Sequence, residues 1–421
     1  MVNGGFFYSP FTIHHPMLYR THVIGALESK REEFARFERS LRGEVGELAA
    51  RLFALAGRTG EEVRRASGAA AKRLAYPSDE LERAGGAVVP FRENWRSHEE
   101  ARRWALEALR GRVTFAADGS QVFPGREASL PVAAVQVASF ENPHAPEGRY
   151  TKDVRFEVLS PGQLLGRAGD YESPEQVVSL RRFELEARAV CEFLERQKGW
   201  RQHAARPPVA FFDNTLLVAS LRKGTDRHLS QRMAHALADL VHTSRETEVP
   251  VVGYVDHSYA HDLAGMLAAL HADLPESNAY DAQLLRAPAR GKAQAPLARW
   301  GDRTVFFHCQ RPNLAEVFFD ESGAPLVGFV YLQTTSDGHP ARLDIPAWVH
   351  EAGLVEEVAD AVRAECVVGN GYPYAIEAAD QAALMTGRDR EQFLRAVQDF
   401  AAEHRLDFHV SRKALSKGRR R

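Results

Sequence analysis

Between residues 112 and 272 the hydrophobic pattern changes period in a set order, and that order restricts the fold more than any other feature of the chain. "VTFAADGS", "LPVAAVQVASFE" from Leu130 and "DVRFEVLS" from Asp153 are β-rich runs separated by turn-forming or polar residues, as in an antiparallel meander. Pro174 to Gln197 then has helical spacing, "PPVAFFDNTLL" reads as a buried strand, and Asp226 to Glu246 is helical. "EVPVVGYVDHS" is a second apolar strand, and Tyr259 to Ala272 another helix. Three strands followed by alternating helix and strand predict a mixed sheet with a parallel portion, flanked by helices.

Two of these apolar runs stop in the same way. "FAADGS" and "VAFFDNTLL" each reach an Asp, then a small or turn-favouring residue, then a hydroxyl residue. Taken alone, Asp118 or Asp213 simply begins a turn by accepting backbone amides two residues on. The element order, however, is that of the ribonuclease H-like fold, in which the first and fourth strands lie side by side. Asp118 is then expected to end the first strand and Asp213 the fourth, which brings two carboxylates together.

Two such carboxylates repel unless a divalent cation sits between them. Mg²⁺ and Mn²⁺ favour oxygen ligands, and two ions about 4 Å apart activate water and stabilise a leaving oxygen in phosphodiester cleavage. A third carboxylate is expected from the helix before the fourth strand, "SLRRFELEARAVCEFLE". Its apolar stripe runs through Leu180, Phe183, Ala187, Val190, Cys191 and Leu194, with Glu184 and Glu186 on opposite flanks, so that either reaches inward. The other is then an exposed carboxylate paired with Arg181, Arg182 or Arg188.

Outside this region the pattern is simpler. From about Val23 to Arg83 the chain is rich in Ala, Leu, Glu and Arg, with Leu27, Phe34, Phe37, Leu41, Val45, Leu48 and Leu52 at three- and four-residue steps. This predicts an amphipathic, coiled-coil-like helix, the first of a pair, suited to scaffolding. From Arg303 strands return in "RTVFFHC", "APLVGFVYLQT" and "ARLDIPAWV", and helices from about Glu351, Tyr374 and Asp389 follow. The division expected is a helical region over 1–110, a ribonuclease H-like domain over 111–405 with a Pro, Ala and Gly-rich surface loop near 274–302, and a basic tail over 406–421.

Net charge is −2 over 421 residues, so a nucleic-acid surface, if there is one, is local rather than global. Three scattered cysteines without CxxC spacing exclude a zinc ribbon and favour a reducing compartment. The first residues lack the pattern of a signal peptide and no stretch approaches a membrane span, so a cytoplasmic protein is expected.

With those residues in view, "FAADGSQVFP", "RRFELEA", "FFDNTLL", "VVGYVDHS" and "GNGYPYAIEAADQAALMTG" in this order resemble the NurA nuclease family, over roughly residues 112–387. The resemblance implies a Mn²⁺-dependent DNA nuclease, with Mg²⁺ as the alternative and two ions in the site. Its activities would be single-strand endonuclease and 5′-to-3′ exonuclease. It also implies a homodimer whose channel admits DNA, working with the HerA hexameric ATPase in end resection and double-strand break repair. Asp118 and Asp213 match the metal-binding Asp residues, Glu184 or Glu186 the helix Glu, and Tyr372 a Tyr near the active site. Where the family pattern has a His eight residues later this chain has Asp380, and "VVGYVDHS" lacks the Lys that ends this strand in some members.

Competing readings stand beside these. Another ribonuclease H-like nuclease, such as an RNA nuclease or resolvase, fits the same carboxylates, and an inactive adaptor of a hexameric ATPase fits the helical region. Asp256 reads equally as a cap of the following helix or a metal ligand. His257 and His261 have i, i+4 spacing without a glutamate between them, which favours surface or cap roles. Arg412, Lys413, Lys417, Arg419, Arg420 and Arg421 of the tail are candidate phosphate contacts.

Overall fold

Three helices open the chain, α1 (Arg20–Glu28), α2 (Arg31–Phe53) and α3 (Gly60–Ala66), before it enters the sheet with β1 (Ala75–Pro77). After α4 (Glu80–Ala84), β2 (Val88–Val89) and α5 (His98–Leu109) comes the meander of β3 (Thr114–Val122), β4 (Ala133–Asn142) and β5 (Thr151–Leu159). The alternating part consists of α6 (Pro161–Leu165), α7 (Pro174–Arg196), β6 (Val209–Phe212), α8 (Arg227–Thr247), β7 (Val251–Val255) and α9 (Asp262–Leu270). The remainder is α10 (Asp281–Arg286), β8 (Arg303–Thr304), β9 (Phe307–Cys309), β10 (Val327–Leu332), β11 (Ala341–Pro346), α11 (Ala347–Glu351), α12 (Val355–Val368), α13 (Tyr374–Ala383) and α14 (Gly387–Glu403). The structure, a computed structural model, describes residues 19–68, 74–125, 129–165, 173–217, 227–271, 273–274, 277–312 and 317–408. Among them no helix is long and apolar enough to cross a membrane.

The sheet runs in the order β1, β9, β10, β11, β7, β6, β3, β4, β5, with β2 joined to it through β8. β6 pairs parallel with β3 on one side and with β7 on the other, and the other pairings are antiparallel. β5, β4, β3, β6 and β7 therefore form the mixed ribonuclease H-like sheet that the element order predicts, and β11 to β1 extend it. Residues 209–212 are buried on both faces, as a central parallel strand requires.

Each face of the sheet has its own core. On one, α7 and α8 bring Phe183, Val190, Phe193, Leu237 and Leu240 against Phe115 and Phe212. Phe193 stacks on Phe115 at 4.5 Å between ring centroids, and Phe183 meets Phe212 edge-on at 5.6 Å. On the other, α12 and α13 bring Val358, Val362, Ala375 and Ile376 against Ala116, Phe211, Tyr254 and Leu343.

Three expectations change. The helical pattern expected from Val23 to Arg83 is interrupted between α3 and α4, because Ala75–Pro77 is fully buried and pairs with β9. Tertiary pairing there overrides a helix-favouring composition. Of the long stripe on α2, Val45, Leu48 and Leu52 are buried, whereas Phe34 and Phe37 remain exposed, as does Leu27 on α1. Among its described residues the stretch at 274–302 is only partly surface loop: residues 290–294 are exposed, but it carries α10, and Ala282, Leu284, Leu285, Ala289 and Leu297 are buried. The reason is Asp281, whose carboxylate accepts the Leu263 and Ala264 amides at 3.0 Å each and the Tyr331 hydroxyl at 3.0 Å, tying the segment to α9 and β10. Asp226, the expected start of the helix formed by α8, lies outside the described residues, as does Ala272, the expected end of the helix formed by α9.

Candidate active site

β3 and β6 pair only from Thr114 opposite Val209 to Ala117 opposite Phe212. Asp118 and Asp213 are the next residue on each chain segment, so the register sets them side by side across strands about 4.8 Å apart. Asp213 follows the last residue of β6, as expected. Asp118 does not end its strand: β3 continues to Val122 against β4 alone, because β6 has already stopped. The carboxylate thus faces an edge opened by the shorter neighbour.

Alternation along β3 puts Asp118 on the same side as Ala116, facing α13, and puts Gly119 on the α7 side. On the α13 side Tyr372 Oη donates to Asp213 Oδ1 at 2.6 Å, and Asp380 stands near enough to Asp118 to raise its pKa. The turn that delivers Tyr372 depends on its glycines. A Cβ on Gly369 would lie 2.0 Å from the Tyr372 carbonyl oxygen, and Asn370 and Gly371 have φ of 56° and 108°. The Tyr372 ring then meets Tyr254 edge-on at 5.1 Å. The far end of α13 is held where Ala383 O accepts Ser120 Oγ and Gln136 Nε2, which keeps Asp380 beside β3.

From the opposite side comes α7, started by a capping box of Ser173 and Gln176 with Pro174 at its first position. Glu186 on this helix is buried, with 8% exposure. A Cβ on Gly119 would stand 2.6 Å from Glu186 Oε1 and 2.8 Å from Arg182 Cγ, so the glycine after Asp118 is the opening through which α7 reaches the site. Arg182 Nη1 donates to Gly119 O at 2.9 Å. Its Nε lies 3.5 Å from Glu186 Oε1, and neither of these two buried atoms has a hydrogen-bond partner. Glu184 turns away: its Oε1 accepts Arg232 Nε at 2.9 Å and Nη2 at 2.6 Å, and Arg181 is 3.5 Å from its other oxygen. Of the two helix glutamates left open by the sequence, only Glu186 joins the aspartates. Arg182, read from sequence as one of several pairing partners, belongs to the site as well; its position one helical turn before Glu186 is the signal that marks it.

Burial and mutual repulsion dominate the electrostatics. Loss of water pushes Asp118 up to about 6, opposed by the Gly119 amide and reinforced by the hydrogen bond with Asp380 and the charge of Asp213. Burial raises Glu186 to about 8, with Arg182 pulling down and Asp118 and Asp213 pushing up. Asp213 is also raised, first by desolvation and then by Asp380 and Asp256, while Tyr372 and Arg182 hold it down. The Tyr372 hydroxyl, desolvated and next to Asp213, is shifted upward and stays a donor.

Asp256 follows β7 and its charge bears on Asp213 and Tyr372; it does not cap α9, which begins at Asp262 after His261. His257 Nδ1 is 2.8 Å from Asp256 Oδ2, and His261 Nδ1 meets Ala279 O at 2.9 Å. Both histidines precede the helix, so they share no helical face. The tail residues Arg412, Lys413, Lys417, Arg419, Arg420 and Arg421 lie outside the described residues.

Asp118, Asp213, Glu186 and Asp380 form a set of hard oxygen donors with an excess of negative charge, which suits a divalent cation. Glu186 Oε1 has no hydrogen-bond partner and burial raises the carboxylate pKa values, and a divalent cation would offset both costs. Among the described residues no three His, Cys, Asp or Glu side chains form a group that could hold an ion.

A ribonuclease H-like sheet with acidic side chains converging at the end of its central parallel strands defines the class of protein. Within that class the chain belongs to the NurA domain family, whose model matches residues 112–384. No curated protein matches the chain. Among solved structures it is similar to NurA with manganese, at 10% identity and a TM-score of 0.38 over 76% of this chain and 95% of that one. It is also similar to NurA bound to dAMP and manganese, at 10% identity and a TM-score of 0.41 over 68% and 88%. The catalytic domain of human Endonuclease V is similar at 15% identity and a TM-score of 0.31 over 76% and 95%.

Proposed function

We propose that this chain is a divalent-metal-dependent deoxyribonuclease. The observation that carries the reading is the placement of Asp118, Asp213 and Glu186 on β3, the end of β6 and α7, with Glu186 Oε1 buried and without a hydrogen-bond partner. Asp118, Asp213 and Glu186 would hold the ions, Mn²⁺ in the first place and Mg²⁺ as the alternative. Ions bound there supply Lewis acidity toward a scissile phosphate and a lowered pKa for attacking water. Tyr372 orients Asp213 by its hydroxyl, and Arg182 adds positive charge beside Glu186 that favours an anionic substrate. Asp380, standing where the family has His, is one of the groups that raise the pKa of Asp118, after desolvation. Glu184 serves the α7–α8 contact instead.

Family membership supports a homodimer acting on single-stranded or unwound DNA ends with a HerA-type hexameric ATPase, in a cytoplasmic repair role. Purified chain incubated with single-stranded DNA, blunt duplex and RNA, with Mn²⁺ or with a chelator, tests the activity. Mn²⁺-dependent cleavage of DNA that is lost in Asp118→Asn and in Asp213→Asn, with fold retained, is the expected result. Cleavage of RNA alone would move the reading to another ribonuclease H-like nuclease. Near-parental activity in either variant removes the carboxylate site from the mechanism.

A further inference from the structure

The turn that presents Asp213 is tied to a charged network inside the protein. Asp344, in the middle of β11, is fully buried. Its Oδ2 accepts Thr215 Oγ1 at 2.5 Å and the Leu216 amide at 3.2 Å, and its Oδ1 accepts Arg342 Nε at 2.7 Å. Arg342 Nη1 in turn donates to Asp262 Oδ2 at 2.5 Å, and Asp262 accepts Arg311 Nε and Nη2 at 2.7 and 2.6 Å. Both carboxylates thus face guanidinium groups, and the second oxygen of Asp344 is left to accept two donors of the turn.

Space for the grip is left by Gly253, which pairs with Asp344 across β7 and β11. A Cβ there would lie 2.7 Å from Asn214 O and 2.9 Å from the Leu216 nitrogen, so the turn rests directly on the backbone of β7. Thr215 Oγ1 also accepts the Leu217 amide at 3.0 Å, and the Asn214 amide donates to Phe212 O at 2.8 Å. The chain from Phe212 to Leu217 is held at both ends, and Asp213 has little backbone freedom left. A fold could be stabilised by the Asp262, Arg342 and Asp344 network without any link to this turn. The link needs a half-buried threonine and a glycine whose missing Cβ leaves the space that the Asp213 turn fills.

We propose that Asp344 is a positioning residue for Asp213, acting through the Thr215 hydroxyl and the Leu216 amide to hold the Asp213 carboxylate beside Asp118; this rests on the metal-site reading above. Groups that orient a ligating carboxylate set how well it binds and works, and their loss typically costs about 10- to 100-fold.

Asp344→Ala would take from the buried Arg342 one of its two carboxylate partners, leaving Asp262 alone, and would test folding, so the informative change is on the turn side. Thr215→Val keeps shape and removes the hydroxyl; Thr215→Ser restores it. Each full-length variant is measured for Mn²⁺ binding by calorimetry, for kcat and KM on single-stranded DNA, for thermal stability, and for hydrogen exchange over 213–217. Thr215→Val should exchange faster over 213–217, bind Mn²⁺ about tenfold more weakly and lose kcat by about 10-fold or more with KM little changed. Its melting temperature should stay near the parent's, and Thr215→Ser should recover each value. Equal Mn²⁺ binding in Thr215→Val and the parent overturns the proposal whether or not the parent cleaves DNA. Weakened Mn²⁺ binding in a chain whose parent cleaves no DNA keeps the positioning role and removes the nuclease reading. A parent that neither binds Mn²⁺ nor cleaves DNA overturns both.

Discussion

Glu184 and Glu186 are two residues apart and chemically identical, yet the structure gives them different work. Glu186 is pressed into the opening left by Gly119 and is pushed up to about 8, whereas Glu184 pairs with Arg232 near the surface. Glu186→Gln is expected to lower Mn²⁺-dependent cleavage by roughly 10³-fold, since several kcal/mol of metal-borne stabilisation go with it. Glu184→Gln loses a partly exposed ion pair worth about 0–1 kcal/mol and should cleave at close to the parental rate. Rates measured side by side decide the matter, and a reversed order would return the helix glutamate to Glu184. Asp380 makes a related point. Its hydrogen bond and charge both raise Asp118, so Asp380→Asn should let Asp118 ionise at lower pH and shift the acid limb of the pH–rate profile downward. An unmoved limb would show that Asp380 does not govern Asp118. The sequence made the aspartates visible because each interrupts an apolar run. It could not choose between the glutamates, because helical periodicity places both on the flanks of the stripe and the choice is made by a missing side chain on another element.

At the scale of elements, β3 and α7 fit together only because residue 119 has no Cβ. Gly119→Ala forces the new methyl against Glu186 Oε1 and Arg182 Cγ, and the Gln136 carbonyl at 3.2 Å closes the other side. The carboxylate is the softer neighbour, so the helix should keep its seat while Glu186 is displaced. A stability loss of about 1–3 kcal/mol is expected from such overpacking. Cleavage should fall much further, as the metal ligand moves; chemical denaturation and rate measurements on the same preparation compare the two, and a rate that falls only in step with stability would show that Glu186 is not positioned by this gap. The same reasoning explains what could be read in advance. Alternation of strand and helix, with the long run of α7 and the continuous apolar run of β6, announced the mixed sheet from β3 to β7. β1 gave no such signal, because three residues within an Ala, Leu and Arg-rich stretch are too few to show a period, and only pairing with β9 makes them a strand. The segment around α10 was misleading for the opposite reason: its Pro, Ala and Gly content suggests solvent, while the buried Asp281 fastens it to the core.

For the whole molecule, the site opposes the fold until its charge is balanced. Glu186 rises from 4.5 to about 8 and Asp118 from 3.8 to about 6 on folding, so between those values the folded chain keeps protons that the unfolded chain releases. The stability associated with those protons is fully present below about pH 4 and is lost as pH rises through 6 and then 8. For Glu186 alone the shift corresponds to roughly 5 kcal/mol, a large part of the 5–15 kcal/mol that typically separates folded from unfolded protein. In chelator the melting temperature should therefore decline from pH 6 to pH 9. Mn²⁺ binds the folded, ionised site and should restore more stability at pH 8.5, where Glu186 is mostly an anion, than at pH 5.5, where protons compete with the metal. Glu186→Gln cannot ionise, so its metal-free melting temperature should decline less with pH and exceed the parent's at pH 8.5, even though its cleavage is lost. Thermal melts of the two proteins across this range, with and without Mn²⁺, carry the test. Parallel curves in chelator would mean that Glu186 is not held in the raised state on which the metal-site reading depends.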